Sequence, residues 1–178
     1  MTVKEIQNNF EITFNAWMSA LNEYSDENFS KKPDENSWSV GQVYEHLIVS
    51  TSRMYARIEK CNSDNENENV QGNELGLTAL KANALPDIKV NAPAAAHGLS
   101  SDGINKHDVA AAFSELKAKF AVVALQTEKS LFKGKSEHPR LGFLNAKEWL
   151  QFIDIHFRHH QRQLERLNAF LGQKKQEQ

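Results

Sequence analysis

Three histidines fall within one short segment that is typical of a helix, Ile153 to Leu164. His156 and His160 are four residues apart, so on a helix they lie one above the other on the same face. Neutral imidazole is a common metal ligand, and such a pair can hold one ion from one side. A site needs a third ligand, and the candidate is His46, far upstream in the chain.

His159 competes with His160 for the second position on this helix. His160 shares its helix face with apolar residues, whereas His159 falls nearer the edge of that face. The pattern therefore favours His160 as the ligand and places His159 beside the ligands or on the surface.

The same residues also have an interpretation without metal. A single histidine on an apolar helix face is more often a core residue with a hydrogen-bond partner than a ligand. Three imidazoles buried without partners would cost roughly 1–3 kcal/mol each, a penalty that a bound ion removes. A catalytic Zn²⁺ or similar ion takes about three protein ligands and keeps one open position. The spacing alone leaves both interpretations open, because a histidine pair without an accompanying acidic residue is a weak motif.

Four amphipathic segments are predicted to position these side chains. Apolar residues recur in them at steps of three and four, as in a helix with one buried stripe. The first helix runs from Val3 to about Tyr24, and the third from about His107 to Phe132. The pattern predicts an all-α four-helix bundle that forms a single domain over residues 1–178, without strands or repeats.

The second and fourth helices, which carry the histidines, both begin at capping sequences. Ser39 is a good N-cap for the second helix, and Gln42 three residues later completes a capping box. Asn145 and Glu148 have the same relation at the start of the fourth helix. The second helix then places His46 on or beside its apolar face, near the helix start.

One long irregular connection, residues 61–106, separates the second helix from the third. It has no sustained periodicity, although a short helix around Leu77 to Leu85 is compatible with its sequence. Loops of this length in compact domains are often functional or partly disordered. The segment either covers a pocket or forms a solvated crossover, and the polar tail 173–178 is predicted to fray.

The composition is that of a soluble globular protein. The 178 residues are 40% apolar and 25% charged, and the formal net charge of −2 offers no basic surface for nucleic acid or a membrane. No leader-like run and no segment of ~20 apolar residues is present, so a cytoplasmic location is expected. The single cysteine, Cys61, excludes a disulfide within the chain and is predicted to be an ordinary thiol.

Several motifs together resemble those of DinB-like proteins. Residues 38–47 read WSVGQVYEHL, residues 138–142 read HPRLG, and residues 156–163 read HFRHHQRQ after an EWL triplet at 148–150. Their order and spacing are similar to the family pattern over nearly the whole chain, with the Asn-rich middle covered least. The combination is more specific than any one of its parts.

The resemblance implies a four-helix bundle that holds a divalent metal, Zn²⁺ or Ni²⁺, through His46, His156 and His160. Members with known activity include S-transferases and isomerases that use low-molecular-weight thiols such as bacillithiol or mycothiol. Others have been described as hydrolases, and homodimers are common. The implied function is a metal-dependent enzyme acting on a small molecule. The alternative is a non-catalytic metal-binding or stress-response bundle protein.

Other residues near the motifs are candidate helpers. Gln163 lies one turn beyond His159 and His160, where it could orient a ligand histidine. Gln42 and Glu45 either line the site or serve the helix cap and the solvent face. A coordinated ion could hold a thiol as its thiolate or lower the pKa of bound water. The sequence does not discriminate between the thiol transfer and the hydrolysis that would follow.

His138 and Arg140 belong to segment 137–143, which is predicted to be a turn from its proline and glycine. The two side chains either bind an anionic group of the substrate or serve only to build the turn.

Overall fold

A computed structural model describes residues 1–87, 98–100 and 103–172 of the chain. The elements in chain order are α1 (Val3–Asn22), α2 (Asp26–Ser30), α3 (Val40–Cys61), α4 (Glu74–Ala82), α5 (Lys106–Lys129), β1 (Lys135–His138), β2 (Gly142–Asn145) and α6 (Ala146–Phe170).

The four long helices form the predicted four-helix bundle. Helix α6 packs against both α1 and α3, and α5 packs against the same two helices from the other side. Consequently α1 and α3 face each other diagonally across the core, whereas α3 and α6, which carry the three candidate ligands, are direct neighbours. The prediction of the fold class is confirmed.

Aromatic side chains fill the centre of the bundle. Phe10 of α1 stacks on Phe120 of α5 with ring centroids 3.9 Å apart, and Trp17 meets Tyr44 of α3 edge to face at 5.0 Å. The buried hydroxyl of Tyr44 donates a hydrogen bond of 2.8 Å to the carbonyl oxygen of Trp17. This bond joins the two diagonal helices across the core and limits how α3 can rotate about its axis.

Both predicted capping boxes are present. The hydroxyl of Ser39 accepts from the backbone N–H of Gln42, and the Gln42 side chain accepts from the backbone N–H of Ser39. Asn145 and Glu148 form the same reciprocal pair at the start of α6. Each box satisfies backbone N–H groups of the first turn and thereby fixes the residue at which the helix begins.

The sequence-based prediction of a fold without strands is wrong at one place. Residues 135–145 form an antiparallel hairpin in which His138 pairs with Gly142. Gly142 has a φ of +73°, a conformation that closes a three-residue hairpin loop and that glycine adopts without strain. Strands of four residues are too short to show a period of two, so this segment was recognisable only as a turn.

The connecting segments differ in detail from expectation. Helix α4 covers Glu74–Ala82, slightly earlier than the helix expected around Leu77 to Leu85, and α5 ends at Lys129 rather than at Phe132. The short α2 was not expected. Residues 88–97, 101–102 and 173–178 lie outside the described residues, and so do the predictions made for them. In the described ranges no helix combines the length and apolarity needed to cross a membrane.

The hairpin and α4 are joined to each other and to α6 at one end of the bundle. The backbone N–H of Asn73 donates to the carbonyl of Leu141 at 3.2 Å, directly before α4 begins. The side chain of Gln151 on α6 donates to the carbonyl of Leu80 at 2.9 Å. These contacts hold α4 above α6 and leave a space beneath it.

Gly76 makes the contact between α4 and the hairpin possible, and its replacement by alanine tests that contact. A Cβ at this position would lie 2.2 Å from the carbonyl oxygen of Leu141, so one of the two backbones must move. We expect Gly76→Ala to lower the free energy of unfolding by about 1–3 kcal/mol and to speed hydrogen exchange in α4. The exposed control Thr78→Ala should leave both unchanged, and an unperturbed Gly76→Ala would contradict the packing.

Candidate metal centre

The three predicted histidines converge at the interface of α3 and α6. His46 lies in the second turn of α3, and His156 and His160 project from consecutive turns of α6. One ring nitrogen from each side chain lies within 4.8 Å of the other two. The Nε2 atoms of His46 and His156 are only 3.1 Å apart.

This spacing fits a shared divalent ion. Zn–N bonds are about 2.0–2.1 Å long, so two nitrogens on one tetrahedral ion lie roughly 3.3 Å apart. The distance of 3.1 Å between His46 and His156 is close to that value. Two imidazole lone pairs that face each other at this distance repel unless a proton or a cation lies between them, and a divalent ion meets that need for all three rings.

Burial keeps the cluster in the form that binds metal. His46 and His160 are 8% and 7% exposed, and the His156 ring lies 5.1 and 4.6 Å from theirs. Burial is the main cause that holds the pKa of His156 well below its usual range, and the neighbouring His160 and His46 lower it further. A histidine that resists protonation retains a lone pair for an ion near neutral pH.

Gln163 orients one of the three rings, as its position in the sequence predicted. The Nδ1 atom of His160 lies 2.8 Å from Oε1 of Gln163, where the ring N–H donates to the amide oxygen. This assigns the proton of the neutral ring to Nδ1 and leaves the lone pair on Nε2. Ligand histidines commonly have such an acceptor on their second nitrogen.

Two aromatic residues that the sequence did not mark as part of a site, Trp38 and Phe152, lie beside the cluster. The ring of Trp38 lies 5.1 Å from that of His46 and stacks nearly parallel to His160 at 6.5 Å. Phe152 lies 5.7 Å from His156 on the other side. The available signal for Trp38 was its place directly before the N-cap of α3, two turns from His46 along that helix.

The histidine cluster forms part of the wall of a cavity of about 630 Å³, a size typical of small-molecule sites. Helix α4, the hairpin, α6 and the segment before α3 enclose it. Most of its wall is apolar or aromatic, and its charged side chains are few: Asp34, Arg140 and Arg166. The arrangement leaves room for a small molecule beside an ion held by the three nitrogens.

Gln42 and Glu45 serve the structure rather than the cavity. Gln42 completes the cap of α3 and donates from its side-chain amide to the carbonyl of Ser100 at 2.9 Å. The carboxylate of Glu45 accepts from the backbone N–H and the hydroxyl of Ser100. Neither residue lines the cavity, so the structure supports the interpretation in which both serve the cap and the outer face of α3.

His159 is separate from the cluster, as the sequence pattern predicted. It is half-buried on the cavity wall, and its Nδ1 accepts from the guanidinium of Arg162 at 3.0 Å. Burial and the adjacent Arg162 lower the pKa of His159. Its Nδ1 lone pair is engaged by Arg162.

Cys61 is an ordinary buried thiol, also as predicted. Its Sγ donates to the hydroxyl of Ser136 in β1, and burial raises its pKa. A thiol with a raised pKa forms little of the reactive thiolate. Cys61 does not line the cavity.

Comparison with known proteins relates the chain to one family. The family model of the DinB superfamily matches residues 9–164. No curated protein sequence is similar enough to count as a match.

Two solved structures have the same fold. One is YfiT from Bacillus subtilis, described as "a probable metal-dependent hydrolase with an unusual four-helix bundle topology". Its TM-score is 0.67 and its sequence identity is 18%, and the alignment covers 97% of this chain and 89% of that one. The other is TT2238, described as a four-helix bundle protein, with a TM-score of 0.60, 17% identity and coverage of 93% and 99%. At these identities the likeness concerns the fold.

The lowered histidine pKa values predict a pH-dependent stability of the metal-free protein. The pKa of His138 falls from 6.5 to about 4, mainly through burial and then through Arg140 and Arg57. Between these two pH values the unfolded chain binds a proton that the folded chain does not, so the free energy of unfolding decreases as the pH falls.

Denaturant titration of chelator-treated protein across this pH range measures the effect. His138→Asn should lose less stability than the unsubstituted protein between pH 6.5 and 4, because it lacks one of the responsible groups. Identical losses in the two proteins would contradict the assignment.

Proposed function

Because this chain belongs to the DinB superfamily, we propose that it is a metal-dependent enzyme in which His46, His156 and His160 bind one divalent ion beside a small-molecule cavity. Three imidazole ligands suit Zn²⁺ and Ni²⁺ among the common divalent ions. YfiT, which has a similar fold and is described as a probable metal-dependent hydrolase, supports the proposal.

One observation supports this function over a purely structural metal site. The three histidines form part of the wall of a cavity of about 630 Å³ instead of closing on one another within the core. Structural zinc sites have four protein ligands, whereas catalytic sites have three and leave a position for substrate or water. In the described part of the chain the cluster offers three ligands and an adjacent space, which is the catalytic pattern.

Contacts with surrounding residues orient the three imidazole rings in the absence of a ligand. Gln163 fixes the tautomer of His160 so that its Nε2 lone pair is available. Ser50 donates from its hydroxyl to the carbonyl of His46, and its Oγ also lies 3.3 Å from Nε2 of His156. Trp38 and Phe152 pack against the rings of His46 and His156.

A divalent ion held here would supply Lewis acidity, which lowers the pKa of a thiol or a water molecule that binds it. Among the described residues Asp34 alone contributes a carboxylate to the lining, and its oxygens accept from Asn36 and Ser37.

Transfer of a low-molecular-weight thiol to an electrophile is the first candidate reaction. A thiol bound to the ion, like a bound water molecule, needs no separate base in the protein to become a nucleophile. Hydrolysis is the second candidate, and the description of YfiT favours it. Both reactions use the same three ligands and differ in the nucleophile.

Metal content tests the ligand assignment. Replacing His46, His156 or His160 by alanine should reduce the bound metal from one ion per chain to near zero, because two imidazoles hold such an ion weakly. His107→Ala is the matched control, since the side chain of His107 is 95% exposed on α5. Full metal retention in any of the three variants, measured by elemental analysis, would remove that residue from the ligand set.

The contact between Gln163 and His160 provides a graded test of the same site. Gln163→Leu removes the acceptor for Nδ1 of His160 and should weaken metal binding roughly 10–100-fold. Gln161→Leu, on the same helix and outside the cavity lining, is the control. Equal affinity in both variants, measured by competition with a chelator, would show that the Gln163 contact has no part in metal binding.

Activity assays separate the two reactions and the non-catalytic alternative. The metal-loaded protein should accelerate conjugation of cysteine, glutathione or bacillithiol to monochlorobimane, and His46→Ala should not. Acceleration of ester hydrolysis without thiol conjugation would favour the second candidate. If neither reaction is accelerated and chelation lowers only the melting temperature, the metal is structural and the proposed catalytic function is wrong.

A further inference from the structure

His138 lies outside the histidine cluster but lines the same cavity. It is the last residue of β1, and its ring packs edge-on against Phe152 with centroids 4.9 Å apart. Phe152 in turn packs against His156. One aromatic ring therefore separates His138 from the candidate metal ligands.

The hairpin determines the protonation of this ring. The Nδ1 atom of His138 accepts hydrogen bonds from the backbone N–H groups of Arg140 and Leu141, at 3.1 and 3.2 Å. An Nδ1 that accepts two hydrogen bonds carries no proton, so the neutral ring has its proton on Nε2. Nε2 makes no hydrogen bond with any residue in the described ranges, which leaves a donor of defined position on the cavity wall.

Arg140 lies two residues after His138 in the hairpin, and its backbone N–H donates to the His138 ring. It also lines the cavity, and no carboxylate of the described residues forms an ion pair with it. After burial, the charge of Arg140 is the next cause that lowers the pKa of His138. By contrast, Arg166 is paired with Asp87 at 3.5 Å.

We propose that His138 and Arg140 form a carboxylate-binding subsite and that the substrate carries a carboxylate on an apolar body. The inference rests on the proposed function for the role of the cavity, but its evidence is independent of the metal ligands. A neutral N–H donor and a guanidinium from one hairpin, both on the wall of one cavity, match a group with two oxygens and a single negative charge. The apolar body is accommodated by the remaining wall, which includes Leu75, Leu85 and Phe170.

Two variants separate the subsite from the structural role of His138 in the hairpin. In His138→Asn the new amide oxygen would lie near the position of Nδ1, so this variant preserves an acceptor for the backbone N–H groups and removes the Nε2 donor. His138→Phe keeps the aromatic packing on Phe152 and removes the acceptor. Arg140→Gln removes the charge, and Arg53→Gln, on α3 and outside the lining, is the matched control.

Calorimetric titration with 4-phenylbutyrate and its neutral amide tests the subsite on the full chain, both metal-loaded and chelator-treated. The chelator-treated protein should bind the carboxylate about tenfold more tightly than the amide, the order expected of one charge-assisted hydrogen bond. Arg140→Gln should abolish this preference and His138→Asn should reduce it several-fold, with thermal melts unchanged. Arg53→Gln should keep it.

The results that would contradict the subsite differ from those that would contradict the proposed function. Equal binding of the two probes, binding of neither at millimolar concentration, or a preference that survives both Arg140→Gln and His138→Asn would overturn the subsite. A preference found only with metal and lost in His46→Ala would assign the carboxylate to the ion and also overturn it, while the metal-dependent function would stand. A preference that persists in metal-free protein lacking enzymatic activity would support the subsite alone.

Discussion

The packing of α3 against α6 is the constraint on which the candidate site depends. It brings Nε2 of His46 to 3.1 Å from Nε2 of His156, although the two residues are far apart in the chain. A shift of α3 by one residue would rotate His46 by about 100° and move it away from α6. The capping box at Ser39 and the hydrogen bond from Tyr44 to Trp17 both oppose such a shift.

The second constraint is the connection of the hairpin with α4, which gives the histidines a cavity. In a bare four-helix bundle the cluster would face either the core or the solvent. The hydrogen bonds from Asn73 to Leu141 and from Gln151 to Leu80 hold α4 over α6 and enclose the space between them. The same hairpin orients His138 through its backbone N–H groups. One small structural unit thus closes the cavity and supplies part of its polar wall.

Much of the bundle and of the cluster was predictable because both follow local rules. The spacing of apolar residues marked the four long helices, and capping boxes marked the starts of α3 and α6. The i,i+4 spacing of His156 and His160 placed them on one face of one helix whatever the partner. The hairpin was missed because its strands have four residues each, and the cavity role of Trp38 was missed because an aromatic residue beside a helix start normally indicates packing.

The sequence by itself determined which side chains could bind an ion and which helix faces carry them, since helix periodicity depends only on residues a few positions apart. Only the tertiary structure decided that α3 neighbours α6 and not α1, because that choice arises from the summed packing of all four helices. It likewise decided that Gln42 and Glu45 bind Ser100. The availability of an open cavity beside the three nitrogens also depends on long-range contacts, and no local pattern in the chain encodes it.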